Sequence, residues 1–244
     1  VKASPEAQSR LLDLQAVDTA LAQLAHRRKS LPELAEIDAV TREISALEDE
    51  RARAQVAVDD LERDISRFEK DIEQVRIRKD RDQARLDAGG ALREIEGLQH
   101  ELATLNRRQS ELEDAELELM EQKETADTAL AEVQQRIDSA VGRRGEAERR
   151  RDEAYEEITK EQEFKTSARA PLAADLPADL VALYDKIRLD SGLGAALFQS
   201  GRCGGCRIEL YGADLARVKA ADADEVVRCE ECRRIMVRTK ESGL

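Results

Sequence analysis

Apolar residues recur along most of this chain at alternating steps of three and four, the spacing of a helix face that pairs with another helix. From Pro5 to Lys29 the stripe reads Leu11, Leu14, Val17, Leu21 and Leu24. The stretch "RKSLPE" interrupts it. Ser30 is placed to cap a new helix, Pro32 suits a first turn, and Glu33 stands three after Ser30 as in a capping box. A second stripe runs through Leu34, Ile37, Ile44, Leu47, Val58, Leu61, Ile65, Phe68 and Val75, and stops at Gly89-Gly90. A third begins at Leu92 and Ile95 and continues through Leu112, Leu130, Val133 and Ile137 to Phe164.

These patterns predict helices over 5–29, 32–88 and 91–166. Stripes of this kind are not stable facing water, so the two long helices must pair. Folding the chain back at Gly89-Gly90, where glycine accepts a left-handed turn, gives an antiparallel coiled-coil hairpin. The third helix outruns the second by about the length of the first, so residues from Glu148 to about Thr166 are expected to pack on the first helix. "SARAPLAADLP", with Pro171 and Pro177, reads as a break in the helical pattern. Beyond it lie a short helix around Leu180, Leu183, Tyr184 and Ile187, a strand in "GLGAAL", and strands in "RIEL" and "RIMV" after two cysteine pairs. The reading is mainly α: a helical domain over 1–168, a linker over 169–175, and a small ribbon domain with a leading helix over 176–244.

All four cysteines lie in two CxxC pairs, Cys203/Cys206 and Cys229/Cys232. Each pair delivers two thiolates from one tight turn, and four together satisfy a tetrahedral Zn²⁺ with no exchangeable position left over. One structural zinc is expected. The same ligands would suit a rubredoxin-like iron, whereas a redox dithiol needs only one pair and a βαβ setting absent here. Gly204 and Gly205 are expected to ease the first turn and free its amides for the sulfurs. Arg202, Arg207, Arg228, Arg233 and Arg234 flank the thiolates and offset their charge, and Arg202, Arg207, Arg233 and Arg234 are candidate partner-binding residues on the ribbon surface. The ribbon has few large side chains, so metal binding supplies much of its folding free energy.

Composition narrows the functional classes. Three Phe, three Tyr and no Trp are too few aromatics for an ordinary globular core, and 38% of residues are charged. The net charge of -13 lies wholly before Thr166, because twelve basic and twelve acidic residues balance from there onward. No domain is basic, which weighs against a nucleic-acid binder. No apolar run is long enough to cross a membrane, no apolar leader opens the sequence, and paired free cysteines suit the reducing cytoplasm. His26 and His100 fall within predicted helices without catalytic neighbours, so no enzyme site is expected.

One charged cluster stands out. Arg143, Arg144, Arg149, Arg150 and Arg151 fall within nine residues. Extending the hairpin register past Ser30 sets Arg151 opposite Arg28, beside Arg27 and Lys29. Two basic runs meeting in this way would suit an anionic partner.

The combination resembles a bacterial family of coiled-coil proteins with a C4-type zinc ribbon. The match rests on the helical hairpin, "LVALYDKIR", "GLGAAL", CGGC and the final CxxC, with Tyr184, Gly194, Cys203, Gly205, Cys206, Cys229 and Cys232 at the family's positions. The resemblance implies the hairpin fold and the zinc. The family includes a regulator and chaperone of flagellar assembly that binds an alternative sigma factor and a flagellin messenger RNA. A protein-interaction adaptor is therefore the first expectation, with a nucleic-acid regulator, RNA before DNA, as the alternative, and a second copy of the chain as a further candidate partner. Two positions depart from the family pattern: Arg233 stands where glycine is usual, and Met236-Val237 replaces Leu-Tyr. Both are expected to alter the ribbon surface.

Overall fold

The computed structural model describes residues 1–243. Its elements, in order, are α1 (Pro5–Lys29), α2 (Pro32–Asp87), α3 (Leu92–Ala174), α4 (Ala178–Ser191), β1 (Ala195–Gln199), β2 (Arg202–Cys203), α5 (Gly212–Ala220) and β3 (Ile235–Arg238). They form two compact units. One joins Val1–Leu34 to Arg149–Leu244, and the other is Ala35–Glu148.

The second unit is the arm of the hairpin. Val40, Ile44 and Leu47 of α2 pack with Val133, Ile137 and Ala140 of α3. Ion pairs cross the same two helices, Glu43 to Arg143 at 2.7 Å and Glu50 to Arg136 at 2.9 Å. The chain reverses at Gly89, whose φ of 79° only glycine adopts at little cost.

The first unit draws its parts from two separate stretches of the chain. Ser4 caps α1, its side chain accepting from the Ala7 amide, and Pro5 occupies the first helical position. Leu11 and Leu14 of α1 are fully buried against Leu180, Tyr184 and Ile187 of α4 and Ala195, Ile235 and Val237 of the sheet. Further along, Leu24 and Leu31 meet Ile158 of α3. The sheet has the order β2-β1-β3, with β1 antiparallel to β2 and parallel to β3. A second cluster, Phe198, Leu210, Val218, Val227 and Met236, surrounds Cys203 and Cys229.

Polar residues fix α1 in this unit as firmly as apolar ones. The buried Gln15 accepts from the amides of Gly194 (2.7 Å) and Ala195 (3.1 Å). Gln8 donates to the carbonyls of Ala3 and Ala223. Asp18, also buried, accepts from the Tyr184 hydroxyl at 2.8 Å and from Arg169 at 2.8 Å. Burial raises the Tyr184 phenol far above its ordinary value, and its bond to Asp18 adds to the effect, so it stays a donor.

Four local expectations need correction. α3 does not end near 166 but runs through Pro171 to Ala174, so the 169–175 linker is helical almost throughout. Pro171 forfeits one helical hydrogen bond, but Leu172 and Ala173 beside it pack on the first unit's core. The compact division accordingly falls within the long helices rather than at the linker. Ser30 closes α1 instead of opening α2, with its hydroxyl and its amide both donating to the His26 carbonyl. "RIEL" forms only an isolated bridge, Arg202 with Glu209, because Arg207 takes a φ of 63° and turns the chain.

Candidate metal centre

Two matching turns carry the cysteines. In the first, the Arg207 amide donates to the Cys203 carbonyl at 2.7 Å; in the second, the Arg233 amide donates to the Cys229 carbonyl at 2.8 Å. Both arginines lie in the left-handed region, at φ 63° and 59°. β2 positions the first turn, since Cys203 pairs with Phe198 of β1. The second turn is held where Cys229 and Arg234 pair and Ile235 enters β3.

Glycine is required in the first turn for packing rather than for backbone freedom. A Cβ on Gly204 would stand 2.6 Å from the Leu197 carbonyl oxygen, and one on Gly205 2.7 Å from Cδ of Arg234. The arginine in question is itself part of the frame. Its guanidinium donates to the carbonyls of Leu193, Gly205 and Ser191, tying the α4–β1 turn to the first cysteine turn. Arg238 likewise donates to four carbonyls, those of Val218, Ala221, Asp222 and Glu225.

The ligand atoms of all four cysteines lie within 4.8 Å of one another. Sulfur separations of 3.7 Å (Cys203–Cys232) and 3.9 Å (Cys206–Cys229) match the edge of about 3.8 Å that zinc–sulfur bonds of about 2.3 Å give a tetrahedron. Burial raises the Cys203 thiol, and it pushes Cys229 up to about 12; backbone amides of the two turns oppose both shifts. At Cys232 burial acts in the same sense, but the Arg234 amide and the other three thiols outweigh it and lower the value. Amides aimed at sulfur are what thiolates bound to a cation need. The four cysteines are a structural Zn²⁺ site, and four thiolates leave no open position for catalysis.

The other sequence-predicted residues fall into distinct settings. In the arm, Arg143 pairs with Glu43 at 2.7 Å and Arg144 with Glu148 at 3.8 Å. In the first unit, Arg149 pairs with Glu153 and Arg151 with Asp152, and Arg150 is engaged as well. Arg28 does not face Arg151. Its guanidinium lies 4.8 Å from the Tyr155 ring centre and reaches Thr159, further along α3 than the extended register places it. Arg27 and Lys29 belong to the exposed last turn of α1. Arg202 pairs with Glu209 at 2.8 Å. Arg234 is the frame residue just described. His26 and His100 are exposed. Met236 and Val237 are fully buried, so that departure from the family pattern remakes the core, not the surface. Alternate residues of β3 point into different clusters, Met236 among the ribbon residues and Val237 toward α1 and α4.

A feature that the sequence did not disclose is a concavity of about 590 Å³ beside the second turn. Arg217, Arg228 and Arg233 line it together with Glu225 and Glu230. Arg217 pairs with Glu230 at 2.8 Å, and Nε of Arg228 donates to the Arg233 carbonyl. The residues come from α5 and from both sides of Cys229, so only the fold assembles them.

A helical hairpin with a closed C4 zinc ribbon defines a non-enzymatic, metal-stabilised interaction module. Comparison with known proteins agrees. Residues 14–192 match the CT398-like coiled coil hairpin domain and residues 202–236 the C4-type zinc ribbon domain, and the chain belongs to this family. It is 38% identical to the Mycobacterium tuberculosis protein Rv2229c over 98% of both chains. A solved Mycobacterium smegmatis structure, 37% identical, superposes with a TM-score of 0.89 over 98% of this chain and 100% of that one. CT398 from Chlamydia trachomatis shares the fold at 19% identity, with a TM-score of 0.70 over 96% of this chain and 98% of that one. HP0958 from Helicobacter pylori does so at 15%, with a TM-score of 0.53 over 97% of this chain and 98% of that one. Among the described residues no helix is long and apolar enough to cross a membrane.

Proposed function

We propose that the chain is a regulatory adaptor whose ribbon docks a carboxylate-bearing segment of a partner protein at the concavity of Arg217, Arg228 and Arg233. The observation that carries this reading is the backbone of Arg233. A left-handed conformation costs a non-glycine residue about 1–2 kcal/mol, and related chains, as the resemblance implies, place glycine there. Arg233 is not a zinc ligand, and its side chain lines the concavity. Strain retained at such a surface position fits a binding role. A reducing cytoplasm suits four cysteines that serve as metal thiolates.

Replacing Arg233 by glycine removes the guanidinium while easing the turn, so zinc and fold are retained. Affinity capture from the native cell, read for protein and RNA and compared between the two forms, is expected to lose its specific protein at least about tenfold with Arg233→Gly. Unchanged capture would overturn the proposal. RNA recovered in place of protein, and lost with Arg149–Arg151 changed to Glu, would assign the activity to the basic cluster.

A further inference from the structure

The arm carries a second surface of different chemistry. Along α2 no residue between Val58 and Asp82 is fully buried, and along α3 none between Leu112 and Val133. In that interval the seam between the helices opens into a concavity of about 600 Å³, lined by Ile65, Leu117 and Met120 at its apolar centre. Leu117 is 59% exposed and Met120 51%, large values for such side chains in the middle of a coiled coil. The rim is acidic: Glu62, Glu69, Glu121, Glu124 and Asp127 against Lys123. Lys123 bonds Asp127 at 2.8 Å and Glu62 at 3.1 Å, and hydrogen bonding to those two carboxylates raises its pKa, so it stays charged and occupied. Among the described residues no basic group pairs with the carboxylates of Glu69, Glu121 or Glu124.

The groove does not end there. A neighbouring concavity shares Asp127 and is lined by Arg51, Gln55, Leu130 and Gln134. Gln55 and Glu62 are seven apart on α2, as are Asp127 and Gln134 on α3, so both concavities lie on one face of the seam. From Arg51 to Glu69 the face is about 27 Å long, the length of a helix of about 18 residues.

We infer that this face of the arm binds a basic amphipathic helix of a partner protein. Apolar side chains at helical spacing would cover Ile65, Leu117 and Met120, and flanking lysines or arginines would meet the acidic rim. A nucleic acid is repelled by the same rim. A second copy would bring a further acidic arm, since the excess negative charge of the chain precedes Thr166. This surface lies wholly in the second unit and is separate from the ribbon concavity, so either can fail without the other.

The test uses the full zinc-loaded chain and a synthetic amphipathic helix of about 18 residues, with leucines at i, i+3, i+4 and i+7 and lysines elsewhere. Controls are the scrambled peptide and a lysine–glutamine peptide of equal charge. The ordered peptide is expected to bind at least about tenfold more tightly than either control. Leu117→Gln with Met120→Gln, which leaves charge unchanged, is expected to abolish that preference. Hydrogen exchange should slow at the groove on binding. Glu69→Gln, Glu121→Gln and Glu124→Gln together provide a second test through exposed positions, should the first pair disturb helicity. Equal binding of all three peptides, or full binding by either variant, would overturn the inference, because charge attraction alone would then account for it. Sedimentation showing a homodimer that covers Leu117 would overturn it as well.

Discussion

Gly194 shows how one residue can be dictated by its neighbour. A Cβ there would stand 2.5 Å from the Tyr184 ring and 2.7 Å from its carbonyl oxygen. Gly194→Ala is therefore expected to cost about 1–3 kcal/mol by overpacking, read as a lower midpoint in thermal unfolding. Arg233→Gly should move the same measurement the other way. Relief of the left-handed backbone predicts a gain of about 1 kcal/mol without partner, the opposite sign to its effect on binding. Asp18 is a buried charge of the first unit shared by three partners. Its carboxylate meets Arg169 at 2.8 Å, Arg188 at 3.3 Å and the Tyr184 hydroxyl. Asp18→Ala removes the common partner of all three, and a loss of about 3 kcal/mol is expected in denaturant unfolding.

At the scale of elements, α1 serves as a strut for the ribbon. Gln15 holds the two amides that open β1, and the Ala3 amide and Val1 carbonyl bond to Asp224 and Val226 in the loop before Cys229. Gln15→Leu leaves two buried amides without acceptors, at about 1–3 kcal/mol each, and should hasten zinc loss to a chelator. The sequence disclosed the elements far better than these ties. Leucines at heptad spacing announce a helix pair, and Gly89-Gly90 announces its turn, because both follow from local geometry. Gln8, Gln15 and Asp18 occupy heptad-spaced positions too, but polar residues there read as solvent-facing until their partners some 150 or more positions away are known. Pro171 misleads for a related reason, since tertiary packing beside it decides whether the helix continues.

For the whole molecule, the legible part of the site is the ligand set and the hidden part is its surroundings. CxxC spacing identifies four thiolates from sequence alone. The concavity of Arg217, Arg228 and Arg233 and the groove at Leu117 depend on which residues the fold brings side by side. Metal removal should separate the two units in their response. A chelator is expected to unfold the ribbon and release one Zn²⁺, while the arm, held by Val40, Ile44, Leu47 and their α3 partners, keeps its far-ultraviolet helical signal. Acid should act in the same direction. With Cys203 raised and Cys229 near 12 in the metal-free site, zinc must displace protons to bind, so affinity falls as pH falls. Titration of zinc with a competing chromophore between pH 8 and 6 would measure it.

The arm, residues 35–148, enters and leaves the first unit as a single insertion between Leu34 and Arg149. Its length is thus a variable independent of the rest. Excising seven residues from α2 and the seven that face them on α3 would shorten each helix by about 10 Å while preserving every remaining knob in its hole. Whole heptads can therefore be taken from the arm without touching the zinc ligands or the residues around Asp18. A series of such trimmed arms would show how many heptads a partner needs.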